Sequence, residues 1–136
     1  DVTSIADVAS ATMDAGADGV TMINTLLGMA IDPVTLRPAL GGVTGGMSGP
    51  AVRPLAVRAV WEVHRAMPDV PIIGVGGVRT GWDALELVLA GASAVQVGTV
   101  TFHDPSAPMR VVHELAAEMA ARGLASLDKA RGRAHE

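Results

Sequence analysis

The chain has 136 residues, no cysteine, a formal net charge of −4 and 49% hydrophobic residues, of which few are aromatic. The lack of cysteine excludes disulfides, thiolate metal sites and a cysteine nucleophile from this chain. No basic stripe is present, which argues against nucleic acid as a partner, and polar or glycine residues interrupt the long apolar runs, which argues against a membrane span.

Short apolar strands and amphipathic helices alternate along the chain. The predicted strands are apolar throughout, which is typical of strands buried on both faces, and they cover residues 19–24, 70–75 and 93–97. Four helices are predicted to begin near Thr3 or Ser4, Gly49-Pro50, Thr80 and Asp104-Pro105. The last helix carries its apolar residues at Met109, Val112, Leu115 and Met119.

A repeated joint between helix and strand predicts the fold. "DAGADGVTMIN" (14–24) and "LAGASAVQVGT" (89–99) share an Ala-Gly-Ala helix end followed by an apolar strand, which predicts repeated β/α units and a parallel sheet. Three strands are too few for a complete (β/α)8 barrel, which needs about 250 residues. We therefore predict an α/β fold in which residues 1–123 form the C-terminal half of a TIM barrel, with three parallel strands and flanking helices, and residues 124–136 form a frayed polar tail.

A pair of residues that contains glycine follows both the second and the third predicted strand. Gly76-Gly77 follows one strand and Gly98-Thr99 follows the next. In (β/α)8 barrels the loops after the last two strands often form a phosphate site, where backbone N–H groups face the anion and glycine keeps a Cβ out of the way. One such pair is more often a plain turn, but two pairs on neighbouring strands favour an anion site.

The connection after the first strand is unusually long. Residues 25–51 include a predicted small hairpin that turns at Asp32-Pro33, followed by the glycine-rich stretch "GGVTGGMSGP". This segment is either a flexible lid or linker, or a pocket wall lined by backbone groups. Its place at the carboxyl end of a barrel strand favours the pocket wall.

Four stretches, "GADGVTMINTLLGMAID", "GGMSGPAVRPLAVRAV", "PIIGVGGV" and "AGASAVQVGTVTF", together resemble class 1 dihydroorotate dehydrogenases. They are most similar to the subtype that passes electrons to an iron–sulfur flavoprotein subunit carrying FAD. The resemblance covers the chain up to the tail. It implies a cytoplasmic FMN flavoprotein of pyrimidine (UMP) biosynthesis, an oxidoreductase that converts dihydroorotate to orotate and forms a homodimer.

The resemblance also implies roles for individual residues. Asn24 and Thr25 would hydrogen-bond the pyrimidine ring of dihydroorotate or orotate. The alternative for Asn24 is a strand-end cap that bonds its own backbone. The residues expected to contact FMN are Ile23 beside the flavin, Gly49 through its backbone, and Gly76, Gly77, Gly98 and Thr99 at the phosphate.

The family's proton-abstracting cysteine and its flavin-side lysine have no counterpart here, since the chain has no cysteine and its sole lysine is Lys129. We therefore expect no catalytic residue in this chain, a missing N-terminal barrel half that supplies both groups, and an inactive isolated fragment. The four histidines show no metal-ligand spacing, so no metal site is predicted. Asp83 and Glu86 are interpreted as a solvated helix face.

Three alternatives stay open at this stage. The chain could be a non-catalytic, truncated half-barrel that binds phosphate or has a structural role. It could belong to a related FMN barrel, such as a dihydropyrimidine dehydrogenase domain. A sugar-phosphate isomerase on a similar barrel is disfavoured, because Asn24-Thr25 matches the dihydroorotate dehydrogenase motif.

Overall fold

The computed structural model describes residues 3–136, which form an α/β fold with two small sheets. The strands are β1 (Val20–Met22), β2 (Leu26–Gly28), β3 (Gly45–Met47), β4 (Ile72–Val75) and β5 (Ala94–Gln96). The helices are α1 (Ile5–Asp14), α2 (Arg53–Ala66), α3 (Gly81–Ala90), α4 (Ala107–Ala121) and α5 (Leu127–Ala130). Single 3₁₀ turns lie at Pro50–Val52, Thr99–Phe102 and Arg133–His135.

The main sheet is parallel, in the order β1, β4, β5. Val20 pairs with Ile72, and Ile73 pairs with Ala94, so the strands run in register and their carboxyl ends meet at one rim. The prediction of three adjacent parallel strands with flanking helices is confirmed, although each observed strand is shorter than its predicted range.

The helices cover one face of this sheet as a continuous layer. α1 packs on α2, α2 on α3 and α3 on α4. The core beneath them includes Val60, Val63, Ile72 and Leu87, all fully buried. The other face of the sheet is open, and Thr21 on β1 is exposed there.

Local capping signals place α1 and α3 where the sequence predicts them, whereas α2 and α4 begin at Arg53 and Ala107, a few residues after their predicted starts, and have no side-chain cap. The Ser4 hydroxyl accepts the Asp7 N–H at 3.3 Å and begins α1. Thr80 and Asp83 form a reciprocal capping box at the start of α3. Gly91, with a φ of +129°, closes that helix in a conformation that side chains rarely adopt.

The long connection after β1 contains an antiparallel pair of strands that the sequence did not reveal. β2 and β3 pair with Leu26 opposite Met47. Between them, a single bridge joins Ile31 to Pro38 around the predicted turn at Asp32, whose carboxylate accepts the Thr35 N–H. This paired segment, residues 26–48, is called the arm. Its end at Met47 and Ser48 lies beside the carboxyl ends of the main strands, which supports the pocket-wall interpretation.

The C-terminal segment folds back against the domain, so the expectation that residues 124–136 fray is wrong. Arg131 donates hydrogen bonds to the carbonyls of Gly91, Pro68 and Val70, at 3.0, 3.1 and 2.8 Å. The His135 ring stacks on Trp61, with ring centres 4.9 Å apart. The division of the chain at residue 123 stays a prediction.

The apolar residues expected on α4 divide into two groups. Leu115 and Met119 pack against the core. Met109 and Val112 are 63% and 57% exposed, and the buried residues of this helix are Ala107 and Val111 instead. Within residues 3–136, no helix has the length and apolar character needed to cross a membrane.

Candidate functional site

A cavity of about 360 Å³ lies at the rim where β1, β4 and β5 end. This size is within the usual range for small-molecule sites. The eight binding residues predicted from the sequence all line it: Ile23, Asn24, Thr25, Gly49, Gly76, Gly77, Gly98 and Thr99. Their convergence follows from the fold, because Gly49 directly precedes the 3₁₀ turn that leads into α2, and the other seven lie within three residues after the end of β1, β4 or β5.

Gly76 and Gly77 form the tightest turn at this cavity. Their φ angles are +141° and +72°, in the region that favours glycine. A Cβ on Gly76 would lie 2.7 Å from the Ala56 Cβ, and one on Gly77 would lie 2.7 Å from the Arg53 Cβ. The first turns of α2 therefore require glycine at both positions, a packing reason that adds to the predicted access for an anion.

Gly98 differs from these two glycines. A Cβ there would meet no atom of residues 3–136 within 4 Å, because Gly98 borders open space in the cavity. Glycine at this position is not explained by packing within the described chain. Free space beside exposed backbone is what close approach by a ligand requires.

Two hydroxyls join the arm to the end of β5. Thr99 Oγ1 donates to Ser48 Oγ at 2.9 Å, and both side chains are exposed at the cavity. Ser48 was not singled out from the sequence, although it stands in the "MSGP" motif beside Gly49. Because Thr99 donates its only O–H to Ser48, the Ser48 O–H is the donor of this pair that is left for a ligand at the cavity end formed by the glycine turns.

Asn24 and Thr25 occupy the β1 end of the cavity. The Asn24 carboxamide oxygen accepts the Thr25 N–H at 2.8 Å, which is the geometry of the local cap considered as the alternative. No residue of 3–136 bonds the Asn24 carboxamide nitrogen, so this donor is available at the cavity wall. Thr25 packs against Gly46, where a Cβ would lie 2.1 Å from the threonine hydroxyl oxygen.

Arg53, which packs against Gly77, is held in place by acidic residues of α3. Arg53 is hydrogen-bonded to Asp83 and lies 3.0 Å from Glu86. Asp83 is only 4% exposed and also accepts the N–H groups of Arg79 and Thr80, each at 2.9 Å. The interpretation of Asp83 and Glu86 as a solvated face is therefore wrong, because both carboxylates face α2.

A second ion-pair network fixes the start of α3 from the side of α4. Arg110 lies 3.0 Å from Asp104 and 2.8 Å from Glu114, and it also donates to the Arg79 carbonyl at 3.2 Å. Glu114 in turn accepts the Gly81 N–H at 2.8 Å. The Arg110 hydrogen bond, and then the Gly81 N–H, lower the pKa of Glu114 below its usual value.

Charge is distributed unevenly around the cavity. Among the residues that the structure describes, the lining contains no Asp or Glu, and Arg79 is its one permanently charged side chain. His103 also lines the cavity. No group of three or more potential metal ligands lies close together within residues 3–136. Lys129 lies on α5 and does not line the cavity.

Comparison with known proteins relates this arrangement to one family. A family model described as dihydroorotate dehydrogenase matches residues 1–119. The chain is 53% identical, over 131 residues, to the protein named dihydroorotate dehydrogenase B (NAD(+)), catalytic subunit, of Geobacter sulfurreducens, covering 96% of this chain and 43% of that protein. A protein of the same name from Desulforamulus reducens is 48% identical over 134 residues, covering 98% and 44%.

A solved structure gives the same result for the fold. The crystal structure of DHODH in complex with ferulenol from Eimeria tenella matches with a TM-score of 0.80 and 31% sequence identity, over 97% of this chain and 35% of that one. The chain spans less than half the length of the curated relatives that it matches.

Proposed function

The chain belongs to the dihydroorotate dehydrogenase family, and on that basis we propose that it supplies the FMN phosphate site and one side of the substrate site of an enzyme that oxidises dihydroorotate to orotate. The observation that carries this proposal is the convergence of the eight predicted residues on one cavity. The β/α units set this convergence, and the family motifs supply the residue types.

The residues at one end of the cavity suit the phosphate of FMN. Gly98 borders open space, the Ser48 and Thr99 hydroxyls lie 2.9 Å apart, and no acidic side chain of the described chain lines the cavity. In the proposed complex, Gly76, Gly77, Gly98 and Thr99 hold the phosphate. Gly49 contacts the cofactor through its backbone and Ile23 borders the ring.

The other end of the cavity suits a planar polar substrate. The Asn24 carboxamide nitrogen donates to a ring carbonyl oxygen, while its oxygen keeps the bond to the Thr25 N–H or accepts a ring N–H instead. The Thr25 hydroxyl adds a further donor and acceptor. When bound, the flavin supplies the hydride acceptor for the oxidation, and the residues of this chain orient the substrate beside it.

The proton-abstracting base and a flavin-side cation come, in this proposal, from an N-terminal barrel half that completes the fold. Within residues 3–136, β1 and β5 each have only one neighbouring strand, which leaves two sheet edges that a closed barrel would pair. Relatives more than twice as long as the matched segment are consistent with this chain as the C-terminal half.

The names of the relatives extend the proposal to partners. Because they are called catalytic subunits of the B (NAD(+)) type, we propose that the enzyme works with an iron–sulfur/FAD electron-transfer subunit. A homodimer and a cytoplasmic location complete the proposal.

A second candidate function is a non-catalytic half-barrel that binds phosphate. It is favoured by one observation, which is that this chain has no cysteine and that its single lysine, Lys129, lies away from the cavity. A dihydropyrimidine dehydrogenase domain is distinguished by its substrate, because it would reduce or oxidise an uncharged pyrimidine in place of the carboxylate-bearing dihydroorotate.

Joining the chain to the N-terminal half of the Geobacter sulfurreducens catalytic subunit tests the proposal. The joined protein should bind FMN and form orotate from dihydroorotate, and Asn24→Ala should lower orotate formation while FMN content stays nearly normal. A folded joined protein that binds FMN without forming orotate would contradict the proposed activity. If the joined protein forms orotate but its Asn24→Ala variant loses FMN and activity to the same extent, the proposed role of Asn24 is contradicted. The proposed activity would then still stand.

A further inference from the structure

The charges of the side chains that line the cavity favour an anion, in addition to the backbone N–H groups of its glycine turns. The chain as a whole is acidic, with a net charge of −4, yet no carboxylate of the described residues lines the cavity. Arg79 contributes the single permanent charge there. A lining of one sign inside a concave site concentrates ions of the opposite sign.

The two arginines that contact the start of α3 on either side of Arg79 have acidic partners. Arg53 pairs with Asp83 and Glu86, and Arg110 pairs with Asp104 and Glu114. Within residues 3–136, the Arg79 guanidinium has no ion pair and donates no hydrogen bond. Its charge is therefore not neutralised by the protein around it.

The backbone of Arg79 is held firmly on both sides. Its N–H donates to Asp83 at 2.9 Å, and its carbonyl accepts from Arg110 at 3.2 Å. Because Arg79 follows Gly76-Gly77-Val78 directly, these bonds fix the starting point of its side chain beside the glycine turn. The guanidinium remains free to reach an anion held by that turn.

We infer that Arg79 is a binding residue for a phosphate monoester, and that its guanidinium is the counter-charge for the dianion at the glycine turns. This inference rests on the proposed function, and it identifies Arg79 as the residue that makes the site prefer FMN to riboflavin. A guanidinium binds phosphate through two parallel charge-assisted hydrogen bonds, a geometry that lysine cannot reproduce.

The exposure of Arg79 limits the size of the expected effect. The residue is exposed at the cavity mouth, so salt screens its attraction for a phosphate. Removing its charge should weaken phosphate-monoester binding about three- to tenfold at low ionic strength, and by less at high salt. Riboflavin, which has no phosphate, should bind equally well with or without the arginine.

The test is a set of NMR titrations of the full 136-residue chain with FMN, riboflavin and inorganic phosphate, which follow the backbone amide signals of Gly77 and Thr99. The variants are Arg79→Gln and Arg79→Lys. The matched control is Arg58→Gln, because Arg58 lies on the outer face of α2, where it pairs with Glu62 at 2.8 Å. We expect Arg79→Gln to weaken binding of FMN and inorganic phosphate but not of riboflavin, with partial recovery in Arg79→Lys.

The outcomes separate this inference from the proposed function. Equal FMN affinity in Arg79→Gln and Arg58→Gln, with FMN still preferred to riboflavin, would overturn the role of Arg79 and leave the phosphate site intact. An unchanged chain that binds FMN no better than riboflavin, and does not bind inorganic phosphate, would overturn both. Loss of riboflavin binding in Arg79→Gln would show a general change in the cavity and would also overturn the inference.

Discussion

Gly77 and Arg53 approach each other so closely that any side chain on Gly77 would overlap the start of α2. A Cβ on Gly77 would lie 2.7 Å from the Arg53 Cβ and 2.9 Å from the Arg53 nitrogen. Arg53 cannot move away easily, because its side chain is held by Asp83 and Glu86. The glycine turn, α2 and α3 therefore form one rigid support for the cavity.

Gly77→Ala should destabilise the fold and weaken FMN binding. The left-handed conformation of this residue costs about 1–2 kcal/mol for any side chain, and the overlap with Arg53 adds about 1–3 kcal/mol. Gly123→Ala is a matched control, because Gly123 has a similar φ of +66° but open space around it. Urea unfolding and FMN titration should show the larger loss for Gly77→Ala, and equal losses in the two variants would contradict the packing argument.

Gly98→Ala should separate binding from stability. A Cβ at this position meets no atom of the described residues within 4 Å, so the free energy of unfolding should change by less than about 1 kcal/mol. The same methyl group would enter the space assigned to the phosphate, so FMN affinity should fall about tenfold. Gly41→Ala, also in open space but away from the cavity, is the control for both measurements. Unchanged FMN affinity in Gly98→Ala would place the phosphate elsewhere.

Asp83→Ala should destabilise the protein by about 2–4 kcal/mol, because it removes a buried carboxylate and leaves its partners without an acceptor. Those partners are the Arg53 side chain and the N–H groups of Arg79 and Thr80. Asp128→Ala is the control, because Asp128 lies in the first turn of α5 and is exposed. Chemical denaturation measures both, and a loss of under about 1 kcal/mol for Asp83→Ala would show that the network contributes little.

Acidification should weaken the fold through His64. Burial, followed by the positive charges of Arg131 and His135, lowers the pKa of His64 below its ordinary value of 6.5, and Asp69 opposes this shift. The His64 Nδ1 is buried without a hydrogen-bond partner in the described chain. Because His64 takes up a proton more readily in the unfolded chain than in the folded protein, the contribution of neutral His64 to stability is complete above pH 6.5. It is lost as the pH falls towards the lowered pKa.

The measurement for His64 is urea unfolding at several pH values between about 7.5 and 5.5. The free energy of unfolding should fall across this window in the unchanged protein, and the fall should be smaller in His64→Gln. His113→Gln should keep the original slope, since His113 is exposed on α4. The same slope in all three proteins would show that His64 does not control this pH dependence.

The parallel sheet, the starts of α1 and α3 and the convergence at the cavity could be predicted from the sequence because their signals are local. The Ala-Gly-Ala joints, the Thr80 cap and Gly91 each act within a few residues of their position. The rim position of Asn24, Gly77 and Thr99 then follows from the rule that parallel strands end at the same edge.

The features that the sequence did not reveal depend on distant contacts. Arg131 is bound by carbonyls of residues 40–63 positions away in the chain, so nothing near it predicts a packed C-terminal segment. Asp83 resembles an ordinary surface carboxylate until α2 brings Arg53 against it. β3 consists of Gly45–Met47, which has no strand pattern of its own and is held by pairing with β2.

The most direct test of the account measures dihydroorotate-dependent dye reduction, with added FMN, in the purified 136-residue chain and in the chain joined to the N-terminal half of a related catalytic subunit. A positioned general base typically contributes about 10²- to 10⁴-fold to a rate, and this chain has no cysteine to act as one. The account predicts no turnover by the chain alone and clear turnover by the joined protein. Flavin-dependent turnover by the chain alone would contradict it.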